Sequence, residues 1–325
     1  MKGLGRDIMM AFFLGVIVPA AAIQVHLFFQ SDIKQEHPQA VISEPSPNNP
    51  EQTAEPSTIL FRDDGTAVSS ELEEYLVGAV LGEMPAYFES EALKAQAVAA
   101  RTYARKAHTT GGKHGDGSVC SDYACCQAYI SEEEYLALGG SLASVQKIRS
   151  AVKATENLVL TYEGTLIEAT YFSCSGGKTE DAVAVWGNDF PYLRSVESPG
   201  EEEASYYRDK ADFTRLELEA ALGAALPEDT VQWFGEITYT RGGGVETIRI
   251  GDSLFSGTMV RSLLNLRSTA FSVEVQGDSA VFTTRGFGHR VGMSQYGADA
   301  MAAAGATYRE ILYHYYPGTE LEVLK

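Results

Sequence analysis

Apolar positions along the chain fall into three regimes. From Ile8 to Phe29 they run almost unbroken, interrupted only weakly by Gln24 and His26, and about 20 such residues span a bilayer core. Between residues 31 and 58 they thin out among Pro38, Pro45, Pro47, Pro50 and Pro56, a composition too poor in apolar material to pack, so this stretch reads as a linker. From Ile59 onward they become periodic. Ser70 with Glu73 three residues on has the form of a capping box, and Leu72, Tyr75, Leu76, Ala79 and Val80 follow at helical spacing to an end near Gly82. Ser90 reads as a second N-cap, opening an Ala-rich helix from Glu91 to Lys106 in which Lys94, Val98, Arg101 and Arg105 share one face. Ser131 to Leu138 and Leu142 to Glu156 also read as helices. The period then shortens. Leu158–Tyr162, Thr165–Phe172, Glu236–Tyr239, Glu246–Ile250, Ser272–Val275 and Ala280–Thr284 are β-branched or aromatic runs bounded by Gly, Asn and Asp, and the first two meet at a tight turn on Glu163-Gly164. Helices over Gly292–Ala304 and Tyr308–Tyr315 and a short strand near Leu321 close the chain. Helices first and strands grouped later predict an α+β domain over 59–325, with a β-rich subregion at about 210–284.

Charge orients the first segment. Lys2 and Arg6 precede the apolar run and no basic residue follows until Lys34, which places the N-terminus in the cytoplasm and the body of the chain outside. An uncleaved, single-pass anchor over 1–30 is the reading adopted for a protein of the cell membrane. A secretory signal cleaved near Ala20-Ala21-Ala22 is its rival, and both export the domain. The chain has 44 Asp and Glu against 25 Lys and Arg, a formal net charge of -19. A nucleic-acid partner is thereby excluded, since binders neutralise phosphate with basic residues.

Three clusters carry candidate chemistry. In Leu81-Gly82-Glu83-Met84-Pro85, Glu83 stands at a predicted helix C-terminus among apolar neighbours. The negative end of the helix dipole and desolvation both raise a carboxyl pKa, as a general acid near neutral pH requires. Ser173-Cys174-Ser175-Gly176-Gly177-Lys178-Thr179-Glu180 follows a predicted strand but lacks the spacing of a phosphate loop, leaving a small-residue loop that presents Ser175 and Lys178, or a plain turn. The third runs from Arg285 to Ala298, where four glycines punctuate His289, Ser294 and Gln295; so much backbone freedom is tolerated where the chain approaches a ligand. Separately, His114, Cys120, Cys125 and Cys126 stand close in a Gly-rich loop. Thiolates and imidazole suit tetrahedral zinc, with Cys125 or the distant Cys174 as fourth ligand. A disulfide is the alternative in an exported domain.

Taken in order, Glu83-Met84-Pro85, Ala95-Gln96-Ala97-Val98-Ala99-Ala100-Arg101-Thr102-Tyr103, Tyr171 to Thr179, and Gly288-His289-Arg290-Val291-Gly292-Met293-Ser294-Gln295-Tyr296-Gly297-Ala298 resemble the stage II sporulation protein D family, over roughly Ser69 to Pro317. The resemblance implies a lytic transglycosylase that cuts peptidoglycan glycan strands stripped of their stem peptides during engulfment of the forespore. It implies Glu83 as catalytic acid and base. Gln96, Arg101, Tyr103, Ser175, Lys178, His289, Ser294 and Gln295 are the expected substrate-binding residues. It implies a structural zinc on His114, Cys120, Cys126 and Cys125, and as partners the sporulation amidase and the membrane protein of the same stage, its P and M proteins. A related branch holds amidase enhancers, which is the alternative function.

Overall fold

The computed structural model describes residues 57–62 and 65–324. The predicted anchor, and all of the predicted linker but Ser57 and Thr58, lie outside the described residues; among those described, no helix is long and apolar enough to cross a membrane. The fold is α+β. Strands β1 (Thr58–Arg62) and β2 (Ala67–Glu71) form a hairpin that leads directly into α1 (Leu72–Glu83). The expected capping box is absent there: Glu71 is the N-cap and offers no side-chain bond, because Ser70 is still in the strand and Glu73 is drawn away by Arg101. Helix α2 (Ser90–Thr110) follows, with Glu89 rather than Ser90 at its N-cap, and ends on Gly111 at φ 90°.

Almost every side of α2 is buried. Ala92, Ala95, Ala97, Ala99, Ala100 and Ala104 are all inaccessible to solvent, and side chains this small let α1 and later elements approach the helix closely. The face holding Val98, Arg101 and Arg105 is therefore an inner face. Past β3 (Ser118–Cys120), which runs parallel to β1, come α3 (Glu132–Ala137) and α4 (Leu142–Ala154). A capping box of Ser131 and Glu134 starts α3, and Ser141 caps α4.

The predicted turn is present between β4 (Leu158–Tyr162) and β5 (Thr165–Leu166), with Glu163 at φ 51° and Gly164 at φ 74°, the paired positive φ values that match strand twist. The single run expected over Thr165–Phe172 divides into β5 and β6 (Tyr171–Phe172), because Thr170 turns its carbonyl to the Met293 amide. After the short helix α5 (Ala182–Trp186) the chain builds a second core. It comprises β7 (Arg208–Thr214), α6 (Arg215–Leu222), β8 (Phe234–Tyr239), β9 (Val245–Ile250), β10 (Ser253–Ser256), α7 (Gly257–Leu263), β11 (Phe271–Gln276) and β12 (Ser279–Arg285). Two antiparallel sheets, ordered β10-β9-β8 and β11-β12-β7, enclose Trp233, Leu218, Ile248, Val260 and Phe282.

The chain then returns to the first core. Gly292, expected to open a helix, lies at φ 82° with the Thr170 carbonyl where a Cβ would stand. Residues Met293–Ser294 consequently form β13, parallel to β6, and α8 (Gln295–Ala303) begins only afterwards with Ser294 as its cap. Helix α9 (Tyr308–Tyr315) opens on a Thr307–Glu310 capping box, and β14 (Glu320–Val323) completes the sheet with β4.

Candidate active site

Glu83 is the last residue of α1, and Pro85 two positions on cannot continue the helix. Its surroundings are made by a segment distant in sequence. Gly78 and Gly82, one turn apart on α1, leave a bare track on which residues 128–130 lie: a Cβ on Gly82 would stand 2.9 Å from the Tyr129 amide nitrogen, and one on Gly78 would collide with the Tyr129 ring. The Ile130 amide donates to the Gly78 carbonyl at 3.2 Å. This close approach delivers the Ala128 N–H to Glu83 Oε1 at 2.5 Å. Oε2 receives Gln295 Nε2 at 3.3 Å from the start of α8. Burial pushes the Glu83 carboxyl up to about 7, against these two donors, which pull it down. Among the described residues, no cation or second carboxylate is one of the groups that set it.

A buried relay flanks the acid. The Tyr75 hydroxyl donates to Gln127 Oε1 at 2.9 Å, and Gln127 Nε2 donates to the Tyr171 hydroxyl at 2.6 Å. Burial raises both phenols well above their ordinary range, and the Glu83 charge adds to the shift. Neither phenol ionises near neutral pH, so the acid is surrounded by neutral hydroxyls.

The same segment reaches the cysteines. His114 Nε2 lies 3.8 Å from Cys125 Sγ and 3.6 Å from Cys126 Sγ, and the two sulfurs are 3.8 Å apart. With Cys120 on β3, four donor atoms lie within 4.8 Å of one another. Bonds of ~2.3 Å to sulfur and ~2.0 Å to imidazole nitrogen place tetrahedral ligands at such mutual distances, so this donor set fits zinc. All four cysteines of the chain are free thiols, and 3.8 Å is far beyond a sulfur–sulfur bond of ~2.05 Å. Cys174 lies elsewhere, donating to Glu201 at 3.1 Å. Tyr103 bonds Cys126 through its hydroxyl, and burial raises its pKa further than that bond does.

The remaining expected binding residues divide. Gln295 touches the acid. His289 Nδ1 accepts from the Val291 amide at 3.1 Å and its ring packs on Phe172 and Trp186; burial lowers its pKa to about 4, so it is neutral. Gln96 is wholly buried and its side-chain amide has no partner among the described residues. It precedes Ala100 by one turn, and the Ala100 carbonyl accepts from Gln127 at 3.4 Å, so Gln96 belongs to the helix face turned toward the relay.

Arg101 is placed otherwise. Its fully buried guanidinium clamps Glu73 with two bonds, 2.8 Å and 2.6 Å, and donates to the Leu158 and Val152 carbonyls. Glu73 lies ten residues before Glu83, roughly 15 Å along the helix, so this cation ties α1, α2 and α4 together, away from the acid. Ser175 and Ser294 are also buried and committed: both donate to Glu201, at 2.9 Å and 2.6 Å. Lys178 pairs with Glu197 at 3.0 Å. Arg101, Ser175 and Ser294 thus each hold an internal carboxylate partner. Sequence reasoning missed Gln127, Ala128 and Glu201. The Gly78 and Gly82 spacing was the one local signal that another backbone lies on α1.

Comparison with known proteins places this geometry in context. A family model described as Stage II sporulation protein matches residues 65–162. Stage II sporulation protein D of Bacillus subtilis is 41% identical over 255 residues, covering 77% of this chain and 74% of that protein. Its namesake from Bacillus amyloliquefaciens is 41% identical over 256 residues, with the same shares. An amidase enhancer of Bacillus subtilis is 29% identical over 299 residues, covering 76% of this chain and 40% of that protein.

Proposed function

The chain belongs to the stage II sporulation protein D family, and from that premise we propose that it is a membrane-anchored peptidoglycan lytic transglycosylase acting on denuded glycan strands during forespore engulfment. The observation that carries this reading is the carboxyl of Glu83, raised to about 7 by burial and held by two neutral donors. Ordinary glycosidases need a second carboxylate to attack or to activate water. A transglycosylase needs one group that serves twice, which a pKa near the working pH permits.

Protonated Glu83 gives its proton to the glycosidic oxygen, the C1–O bond breaks, and an oxocarbenium-like muramic residue forms. The carboxylate then takes the proton of that sugar's C6 hydroxyl as its oxygen bonds to C1. A 1,6-anhydro end results and the acid is restored. The nucleophile belongs to the same sugar, so its effective molarity is high and water is not consumed. The Ala128 amide and Gln295 fix the carboxyl orientation through both strokes. A zinc ion on His114, Cys120, Cys125 and Cys126 would supply a structural crosslink rather than Lewis-acid chemistry, pinning the segment that carries Ala128. The amidase and membrane protein of the same stage are the proposed partners, one producing denuded strands and the other sharing the membrane.

The test is incubation of the full chain with denuded strands and mass analysis of the products. Anhydromuramic ends are expected with the wild type and none with Glu83→Ala of unchanged fold. Reducing ends would indicate a hydrolase. Stimulation of an amidase with no glycan product would support the enhancer reading, suggested by the 29% identical relative.

A further inference from the structure

A row of partly exposed aromatic rings leads away from the acid. Tyr87 lies four residues after Glu83 and is 74% exposed. Tyr296 directly follows Gln295, the side chain that touches Glu83. The two tyrosines are joined: both pack edge-on against buried Phe88, at 5.2 Å and 5.0 Å, and the Tyr296 hydroxyl shares hydrogen bonds with Tyr87 and Ser205. From Tyr296 the row continues to Tyr206 at 5.8 Å and then to Phe287 at 5.3 Å, which is 39% exposed. Arg267 closes it, its guanidinium 5.6 Å from the Tyr206 ring and 5.8 Å from that of Phe287, and fixed by Asp209 at 3.0 Å.

Resting on the reading above, we propose that Tyr87, Tyr296, Tyr206, Phe287 and Arg267 form a ledge that holds the glycan strand beyond the bond at Glu83. The chemistry selects the occupant. Pyranose rings have apolar C–H faces and polar rims, and aromatic rings offer a broad contact surface of matching size at low entropic cost. With centroids 5.3 and 5.8 Å apart, Phe287, Tyr206 and Tyr296 pack on one another into one continuous aromatic surface. Continuity with the acid runs through Gln295, which donates to Glu83 at 3.3 Å and directly precedes Tyr296 in the chain. In a chain of net charge -19, a cation at the far end of the row is suited to the lactyl carboxylate, which muramic acid bears free once its stem peptide is gone. The ledge thus gives a physical basis for preferring stripped strands and long ones.

Binding to the full-chain Glu83→Gln protein, in which turnover is blocked, tests this. The probes are an N-acetylglucosamine disaccharide, the corresponding hexasaccharide, and denuded strands. Phe287→Ala and Tyr206→Ala should each weaken hexasaccharide binding about tenfold, the scale of one lost aromatic contact, with disaccharide binding unchanged and Phe287→Trp restoring affinity. Arg267→Gln should weaken denuded-strand binding more than hexasaccharide binding. Unchanged hexasaccharide affinity in both alanine variants, or equal loss for both oligomers, would overturn the ledge and leave the transglycosylase reading standing. Failure of Glu83→Gln to bind any of the three, with no anhydro ends from the wild type, would overturn that reading and the ledge with it.

Discussion

A carboxyl with a folded pKa of about 7 against an ordinary 4.5 is an acid that the fold maintains at a cost to its own stability. Native protein binds the Glu83 proton more tightly than the unfolded chain does. The stabilisation from that proton is therefore fully present below about pH 4.5 and is lost as pH rises through 7. Glu83→Gln, which cannot ionise, should be more stable than wild type at pH 8, by about 2 kcal/mol after discounting for the partial exposure of the group. The advantage should vanish at pH 4.5. Chemical denaturation at the two pH values measures it, and a difference independent of pH would refute the burial argument. The Gly82 track supplies a second prediction with an unusual sign. Replacing a helical glycine by alanine normally stabilises by roughly 1 kcal/mol. Here the added Cβ meets the Tyr129 backbone at 2.9 Å and displaces the Ala128 donor, so Gly82→Ala should lower both the melting temperature and the production of anhydro ends. A rise in melting temperature would show that the segment yields freely.

At the scale of elements, the segment from Gly111 to Ser131 connects the cysteines to the acid, since Cys126 and Ala128 are two residues apart. About one zinc per full chain is expected by metal analysis, reduced in His114→Ala and in Cys126→Ala. Chelation should speed hydrogen exchange at Ala128 and Ile130 while leaving α9 protected. A Cys120–Cys126 disulfide found by mass spectrometry in native protein would eliminate the zinc. Elements whose signal is local were legible: α9, α4, β4 and the turn at Glu163-Gly164 lie within two residues of where periodicity and turn chemistry put them, although β5 stops at Leu166. Other elements were not. Strand β7 alternates Asp209, Ala211 and Phe213 with exposed charged residues and is short of β-branched side chains. Helix α6 does carry a Thr214–Glu217 capping box that pattern reading passed over. The direction of α2 was illegible for a different reason: the face bearing Lys94, Arg101 and Arg105 has the composition of a solvated one, so only its neighbours decide that Arg101 points inward. Of the site, the position of Glu83 at a helix end was readable from Gly82 and Pro85. The commitment of Ser175 and Ser294 to Glu201 was not, because a buried carboxylate in an acidic chain looks like any other glutamate in sequence.

The molecule as a whole has two hydrophobic cores, and a buried charge pair stands where the chain passes between them. Arg290, in the left-handed region at φ 66°, donates to the Ser175, Lys178 and Gly242 carbonyls at 2.8, 2.7 and 2.8 Å and to Glu180 Oε1 at 3.0 Å. That same carboxylate oxygen accepts from Thr240 at 2.8 Å and from the Gly244 amide at 2.9 Å, both on the β8–β9 turn of the second core. The side chains are 3% and 0% exposed, so solvent screens neither. A pair of this kind contributes little net stability, because desolvation offsets attraction, yet loss of one partner leaves an uncompensated charge. Arg290→Met should therefore destabilise the protein by about 3–5 kcal/mol. Adding Glu180→Leu should recover part of that loss, leaving the Thr240 and Gly244 donors unsatisfied. A double variant as unstable as Arg290→Met alone would mean that the carbonyls, rather than the ion pair, are what Arg290 holds together. Because the Arg290 carbonyl also accepts from the Glu180 amide at 2.6 Å and Gln295, which touches Glu83, follows five residues on, the single variant should disturb the acid's surroundings too. Its anhydro-end production should fall more steeply with temperature than that of wild type, measured below the melting transition of each protein.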